Sequence, residues 1–189
     1  MTMILACSPR RGGNCDTAAA ITRETGGGAV PPVTALRDHA VLPCASCGYC
    51  AKHPGRCPLQ DKDDSATLFE LLQSASKLVL IAPVYFYHLP AQLKALIDRS
   101  QPWWTLRETG KGLPRGSRLA YPILVAARPS GKRLFEGSLL TLRYWLDLFG
   151  YDLVEPLTLY GLDGPLDLAG DAAQRATVAR YTRETVFGG

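Results

Sequence analysis

The chain has 189 residues, of which 47% are apolar, and its formal net charge is +4. This length favours a single domain spanning residues 1–189 over two domains. The small positive excess, without a recognisable module, argues against nucleic acid as a partner, and no stretch approaches the roughly 18 uninterrupted apolar residues of a bilayer span. We therefore expect a soluble domain with no membrane segment.

Strands and helices alternate along the chain. Five apolar runs predict strands, at 3–7, 29–36, 77–84, 118–127 and 152–160. Five further segments predict helices, at 14–24, 63–75, 90–101, 135–150 and 168–187. The run at 77–84 is apolar without interruption, as is typical of a strand buried on both faces. The alternation predicts an α/β fold, in which a parallel sheet with right-handed crossovers carries helices on both faces.

The start of the chain, MTMILACSPR, lacks the basic flank and small-residue cleavage site of a secretory signal. We therefore expect a cytoplasmic protein. In a reducing compartment, clustered cysteines bind metal or do redox work more often than they form structural disulfides.

The loop after the first strand, CSPRRGGNCDT at 7–17, leads directly into a helix. Ligands of such sheets bind beyond the carboxyl ends of the strands. Gly12 and Gly13 permit unusual backbone conformations, and Ser8, Asn14 and Thr17 place short polar side chains beside the free amides of the helix. This pattern predicts a phosphate site, although a glycine-containing connection without a ligand is the alternative.

The loop after the third strand is rich in aromatic residues. Tyr85, Phe86 and Tyr87 are consecutive and precede His88. Such side chains form a platform on which a flat heteroaromatic ring stacks. The alternative is that they cover the end of the core.

Four cysteines follow the spacing C-x2-C-x2-C-x6-C, and they are Cys44, Cys47, Cys50 and Cys57. Thiolates suit both zinc and iron-sulfur clusters. The overlapping triplet and the proline after Cys57 are typical of bacterial ferredoxins, whereas structural zinc usually takes two separated knuckles. The motif therefore favours one 4Fe-4S cubane, with zinc, a disulfide or no ligand as alternatives.

Basic residues dominate the segment from 99 to 133, where eight lysines and arginines accompany one acid, Glu108. Such a segment suits an anionic cofactor or an acidic protein partner. A solvated loop with scattered charge is the alternative.

Three segments of the chain resemble one family. SPRRGGNCDTAA is similar to the S-P-R-x-x-G-N-[ST] phosphate loop of the flavodoxin-like NAD(P)H-dependent FMN reductases, and APVYFYHLPAQLKALIDR is similar to their P-V-Y…P-A-Q-L-K…D-R segment. Between them, CASCGYCAKHPGRCPLQDKDD resembles the compact cysteine motif of the iron-sulfur flavoproteins of that family.

The resemblance implies a flavodoxin-like three-layer sandwich of strand order 2-1-3-4-5, with the cysteine motif inserted at about 43–60, and FMN as cofactor. It assigns two sets of residues to the flavin. The phosphate would meet Ser8, Arg10, Gly13, Asn14, Cys15 and Thr17, and the ring would meet Pro83, Val84, Tyr85, Phe86, Tyr87 and His88. Cys15 stands where the family more often has serine or threonine. The loop at 126–133 corresponds to a flavin-edge loop and is more basic here than in relatives.

FMN beside a 4Fe-4S cluster predicts an oxidoreductase that passes electrons from the flavin through the cluster to a redox protein such as ferredoxin. The alternative is an NAD(P)H-dependent FMN or quinone reductase in which the cysteines are structural. Relatives are oligomers, which implies a homodimer or homotetramer. Trp103 and Trp104 would then cover the flavin or line a subunit contact, or else be buried within one chain.

Overall fold

The computed structural model describes residues 1–26 and 32–188. Within these ranges the strands are β1 (Thr2–Ala6), β2 (Val33–Ala35), β3 (Lys77–Pro83), β4 (Arg118–Val125), β5 (Tyr151–Leu153) and β6 (Leu157–Leu159). The helices are α1 (Asn14–Gly26), α2 (Tyr49–Lys52), α3 (Ser65–Ser74), α4 (Ala91–Asp98), α5 (Gln101–Glu108), α6 (Glu136–Asp147), α7 (Asp167–Gly170) and α8 (Ala172–Tyr181). A 3-10 turn (Leu36–Asp38) follows β2 and a π-helical turn (Thr182–Val186) follows α8.

The strands form one parallel sheet of order β2-β1-β3-β4-β5, which confirms the predicted topology, and β6 pairs with β4 as well. The strand order reverses between β1 and β3, which are adjacent in register from Thr2↔Lys77 to Ala6↔Ile81. The loops that leave these two strands therefore start side by side, at the edge where ligands of doubly wound sheets bind.

Each face of the sheet carries its own hydrophobic cluster. Side chains alternate along β1, so that Met3 and Leu5 pack with α3, α4 and α6 while Ile4 and Ala6 pack with α1 and α8. The central strand β3 is buried from Leu78 onward, as its uninterrupted apolar sequence predicts. The result is the predicted sandwich of helices, sheet and helices.

The strand predicted at 152–160 is divided into β5 and β6, so the prediction of one continuous strand was wrong. Its first part pairs with β4 at Arg118↔Tyr151, and its second part at Ile123↔Leu157, so the edge strand holds one extra residue. Pro156 lies in the break. Since proline has no N–H to donate, it is confined to strand edges and bulges.

Other boundaries also differ from prediction. The helix predicted at 90–101 ends at Asp98, and the unpredicted α5 follows it with Pro102 in its first turn, a position that proline favours. The helix predicted at 168–187 breaks at Asp171, whose carboxylate caps α8 by accepting from two backbone amides at 3.0 Å. Residues 29–31 of the predicted second strand lie outside the described residues. In the part of the chain that the structure describes, no helix has the length and apolar content needed to cross a bilayer.

Candidate functional site

The loop between β1 and α1 is held in a tight turn. The Ser8 hydroxyl accepts from the Arg10 amide at 3.2 Å, and the Asp16 carboxylate accepts from the Gly12 amide at 2.7 Å. Gly12 has a left-handed backbone, with φ of 66°. The amides of residues 13–16 are those that an α-helix leaves without an internal partner. This end of α1 is therefore arranged for an anion.

Arg37 supports that loop from the side of β2. Its Nη1 donates to the carbonyl oxygens of Ser8 and Arg10, at 3.3 and 3.5 Å. The same nitrogen lies 2.9 Å from the Asp16 carboxylate, in a pair that is largely buried. Sequence reasoning missed Arg37, because nothing local marks an arginine just after a short strand as part of a distant loop.

The side chain of Asn14 is engaged in structure. Its amide nitrogen donates to the carbonyl oxygens of Leu162 and Gly164, at 3.1 and 2.8 Å, and its oxygen accepts from the Leu168 amide at 3.0 Å. Asn14 thus binds the loop after β6 to the start of α1. Its backbone amide, rather than its side chain, remains for a ligand.

Cys15 is buried in the first turn of α1. Burial, with a smaller contribution from Asp16, raises the pKa of its thiol to about 12, so the thiol is neutral at physiological pH. A neutral group adds no negative charge beside an anion site. Thr17 bonds weakly back to the Gly13 carbonyl at 3.4 Å.

These loops enclose a cavity of about 230 Å³ at the carboxyl edge of the sheet. Eight predicted residues line it, and they are Ser8, Arg10, Gly13, Asn14, Cys15, Pro83, Val84 and Tyr85. Four predicted residues are not among the lining, namely Thr17, Phe86, Tyr87 and His88. Leu162 and Asp163 also line the cavity and were not predicted from the sequence. Their position just beyond the carboxyl end of the last strand could have indicated them.

The aromatic loop is a two-residue hairpin turn. Tyr85 and His88 exchange backbone hydrogen bonds of 2.9 Å in both directions. The two residues between them, Phe86 and Tyr87, both have a left-handed backbone, with φ of 50° and 64°. Such values are strained for aromatic residues. Phe86 is completely exposed at the tip.

The loop after β4 and helix α6 contact this turn. Arg128 donates to the Tyr87 hydroxyl at 2.8 Å and lies 5.7 Å from the centroid of its ring. His88 Nε2 lies 3.1 Å from the Thr141 hydroxyl. A Cβ on Gly137 would lie 3.0 Å from the Tyr87 carbonyl oxygen, so glycine lets α6 approach the turn. The turn is therefore rigid at its base and open at its tip.

The cysteine segment forms the wall of a second cavity, of about 550 Å³, beside α4 and α5. All four cysteines line it, with Cys44 and Cys47 exposed and Cys50 and Cys57 half-buried. The backbone turns sharply between them, with φ of 51° at Ser46 and 69° at Gly48. Burial raises the pKa of the Cys50 thiol, and Cys44 and Cys47 act in the same direction.

Zinc and a 4Fe-4S cubane require different arrangements of the four thiols. Among residues 1–26 and 32–188, no group of three or more His, Cys, Asp or Glu side chains is arranged to hold a metal ion. A zinc ion needs its thiolates within about 2.3 Å of one point. The thiolates of a cubane each bind a different iron and spread around the cluster. Four free thiols around one cavity fit the requirement of a cubane in the number and the type of ligands.

A buried ion pair closes the base of the cysteine segment. Arg99 Nη1 lies 2.6 Å from the Asp63 carboxylate and donates to the Leu42 carbonyl at 3.0 Å. Its Nη2 donates to the Ser65 hydroxyl at 2.9 Å. The other carboxylate oxygen of Asp63 accepts from the Ser65 amide at 3.0 Å. The pair therefore joins the chain before Cys44 to the start of α3 and the end of α4.

The two cavities have no lining residue in common. The α4 helix connects them, because it begins beyond the aromatic turn and its end reaches the cysteine cavity at Asp98 and Arg99. Gln92 fixes its first turn by donating to the carbonyls of Leu36 and His39, at 2.9 and 2.7 Å. The cysteine segment thus lies along the helical layer, rather than at the carboxyl edge of the sheet where the first cavity lies.

The basic segment does not form one patch. Four of its arginines pair with acids of the same chain, as Arg99–Asp63, Arg107–Asp147, Arg115–Asp147 and Arg133–Glu136. Much of the predicted positive surface is therefore neutralised internally.

Trp103 and Trp104 have different environments, and neither lines the cavity at the carboxyl edge of the sheet. Trp103 packs on Phe69 and Phe149, with ring centroids 4.0 and 5.7 Å away. Trp104 is about half exposed and lines a groove with Leu140 and Tyr144. Burial within one chain thus explains Trp103 only.

Comparison with known proteins agrees with this geometry. The profile of the NADPH-dependent FMN reductase family matches residues 2–139. An iron-sulfur flavoprotein of Methanosarcina thermophila is 36% identical over 95 residues, which are 49% of this chain and 48% of that protein. One of Archaeoglobus fulgidus is 33% identical over 117 residues, which are 60% of this chain and 51% of that protein. The chain thus spans about half the length of these curated relatives.

Solved structures show the same fold. An NAD(P)H:quinone oxidoreductase from Methanothermobacter marburgensis has a TM-score of 0.70 at 20% identity, over 97% of this chain and 95% of that one. An azoreductase from Bacillus anthracis has a TM-score of 0.66 at 15% identity, over 97% and 98% of the two chains. The family profile runs from β1 into α6, across the loops that follow β1 and β3 and across the cysteine segment. This chain therefore belongs to the NADPH-dependent FMN reductase family of flavoproteins.

Proposed function

We propose that this chain is an iron-sulfur flavoprotein of that family, which binds FMN at the sheet edge and a 4Fe-4S cluster at the cysteine cavity. The observation that carries the proposal is that all four thiols of the C-x2-C-x2-C-x6-C motif line one cavity of a chain that belongs to an FMN reductase family. A reductase that only moves hydride between soluble substrates needs no such set of thiols.

The first cavity fits the phosphate end of FMN. It presents the free amides at the start of α1, the Ser8 hydroxyl and the Arg10 side chain, while Arg37 balances the charge of Asp16. Its volume of about 230 Å³ is below the ~300–1,000 Å³ of pockets that enclose a ligand. Part of the cofactor would therefore lie outside it, beside the exposed aromatic turn. This assigns the phosphate to the α1 loop and the ring to Tyr85 and Phe86.

Thiolates of the second cavity would hold the cluster, each through one iron. Flavin supplies two-electron chemistry and a cubane one-electron chemistry, so the pair converts one to the other. The chain's own task is to place both groups, exclude water and set their potentials. We assign the electron pair to NAD(P)H and the single electrons to a redox protein such as ferredoxin.

The proposal extends to the state of the protein. The chain works as one domain, in the reducing cytoplasm that four free thiols require, and as a homodimer or homotetramer. The exposed Trp104, Leu140 and Tyr144 lie together around one groove and support self-association.

Anaerobic purification followed by iron, acid-labile sulfide and FMN analysis tests the proposal. We expect about four irons, four sulfides and one FMN per chain. Cys47→Ser should lose iron and sulfide and keep FMN, whereas Cys7→Ala, which changes a buried thiol outside both cavities, should keep all three. Protein that oxidises NAD(P)H rapidly while it binds no iron after anaerobic reconstitution would instead be a simple FMN or quinone reductase.

A further inference from the structure

One buried cation at the cysteine cavity does not use all its donors. Arg99 is 2% exposed, and both of its terminal nitrogens are committed to the contacts that close the base of the segment. Its Nε is buried, and no acceptor for it exists among the described residues. Leaving a charged donor buried and unpaired is costly, so such an atom calls for an explanation.

The position of Arg99 relative to the cysteines suggests that explanation. Arg99 lines the cavity of about 550 Å³ that holds all four thiols, and also a smaller cavity of about 180 Å³ beside it. Cys57 lines both cavities as well. Arg99 and Cys57 thus share the walls of both cavities.

The two charged groups of the Arg99–Asp63 pair differ in their relation to these two cavities. Asp63, which balances Arg99, lines neither of these cavities. Two other acids line these cavities. Asp98 lines the larger one, is half-exposed and pairs with Lys94 at 2.6 Å, and Glu70 lines the smaller one and is exposed. The buried cation of the pair thus lines the cavity that holds the thiols, whereas its carboxylate partner does not.

We propose that Arg99 is a positioning residue for the metal centre, whose Nε–H would donate to a sulfur of the bound centre and whose charge would raise the reduction potential of that centre. This inference rests on the proposed function. Hydrogen bonds to sulfur and local charge set the potentials of iron-sulfur clusters. Reduction adds negative charge, so a nearby cation and a donated hydrogen bond both favour the reduced form.

The test is a redox titration of the cluster in anaerobic holoprotein, followed by electron paramagnetic resonance. Arg99→Lys keeps the charge that Asp63 requires but removes the Nε donor. We expect the reduction equilibrium to shift at least tenfold toward the oxidised cluster, which is about 59 mV for one electron. The double variant Arg99→Gln/Asp63→Asn removes both charges together, so no unpaired buried ion remains, and we expect at least the same shift.

Arg107→Lys is the matched control, because it alters another largely buried arginine–aspartate pair that lines neither cysteine cavity. Its potential should equal that of the unaltered protein. Loss of iron from Arg99→Lys with FMN content and unfolding temperature retained also supports the inference. If both Arg99 variants keep the potential of the unaltered protein, with full iron and sulfide, the inference about Arg99 alone is overturned. Unaltered protein without iron and sulfide would instead contradict the proposed function itself.

Discussion

Phe86 holds a left-handed backbone at a fully exposed position, where burial gives no compensation. The conformation costs a residue of this kind about 1–2 kcal/mol, and such strain is concentrated at ligand clamps. Asparagine tolerates this region. We therefore predict that Phe86→Asn raises the free energy of unfolding by about 1 kcal/mol and weakens FMN binding, measured by chemical denaturation and flavin fluorescence.

Phe86→Tyr is the control for that prediction, because it retains the ring and the strain. It should leave both measurements near those of the unaltered protein. An Asn variant that binds FMN as tightly as the Tyr variant would show that the tip of the turn does not contact the flavin.

Arg37 and Arg11 form two ion pairs beside the same loop, in contrasting environments. The side chain of Arg37 is 14% exposed and that of Arg11 is 72% exposed. Arg37→Met would leave Asp16 unbalanced beside the phosphate and free two loop carbonyls. We predict that it weakens FMN binding by about tenfold or more, or about 1.4 kcal/mol, in a fluorescence titration.

Arg11→Met supplies the comparison, since it breaks the exposed pair with Asp38, and surface pairs contribute about 0–1 kcal/mol. Its FMN affinity should change less than threefold or so. Equal losses in the two variants would mean that only the net charge of the loop matters and that Arg37 has no particular supporting role.

At the scale of elements, Asp63 decides whether α3, α4 and the cysteine segment stay together. Burial raises its pKa, but hydrogen bonds from Ser65, the Leu42 amide and Arg99 outweigh burial and hold the pKa below its usual value. Removing one partner of a buried pair is strongly destabilising. We predict that Asp63→Asn lowers the free energy of unfolding by about 3 kcal/mol at pH 7.

The pH dependence follows from that lowered pKa. A carboxylate with a depressed native pKa stabilises the fold above its unfolded value of about 3.9 and loses this contribution as pH falls through the native value. The difference between the unaltered protein and Asp63→Asn should therefore shrink below about pH 4. Asp98→Asn, which breaks an exposed pair with Lys94, should cost less than about 1 kcal/mol. A constant Asp63→Asn difference down to pH 2 would contradict the account.

The cysteines outside the motif are buried, whereas two of the cysteines within it are exposed. Burial raises the pKa of Cys7 well above its usual value and that of Cys15 to about 12, while Cys44 and Cys47 are exposed. Because the thiolate is the reactive form, we predict that iodoacetamide at pH 8 labels Cys44 and Cys47 in metal-free folded protein but spares Cys7 and Cys15. Peptide mapping by mass spectrometry measures this, and rapid labelling of Cys15 would contradict its burial.

Cluster loading should change that labelling pattern. Thiols that bind iron are not free to react, so protein reconstituted anaerobically should be protected at all four motif cysteines. Labelling of Cys47 at an undiminished rate in iron-loaded protein would show that the iron is bound elsewhere.

The main helices and strands could be predicted from local sequence patterns. The remaining boundaries and side-chain partners depend on long-range contacts, which those patterns do not reveal. The apolar run of β3 and the proline before α4 marked both elements in the sequence. The break between β5 and β6 depends on one extra residue against β4, which no local pattern reveals. Similarly, two aspartates precede α3 in the sequence, and only the fold distinguishes them: the Asp64 carboxylate accepts from the Ala40 amide, whereas the Asp63 carboxylate accepts from the Ser65 amide and from Arg99.

At the scale of the molecule, the topology brings one predicted set of residues to a single cavity, whereas it does not predict where the cysteine segment lies. The reversal of strand order between β1 and β3 brings Ser8 and Tyr85 to one cavity, as the order of motifs in the sequence predicts. The cysteine motif carries no information about where its segment packs. Arg99, 42 positions beyond Cys57 in the numbering, fixes that segment through contacts that only the folded chain brings together.

Anaerobic reductive titration directly counts the two-electron centre and the one-electron centre that we propose for this chain. We predict uptake of about three electrons per chain in reconstituted protein, two by FMN and one by the cluster. Cys47→Ser should take up about two, with the flavin spectrum retained. Uptake of two electrons by the unaltered protein, after reconstitution with iron and sulfide, would contradict the account.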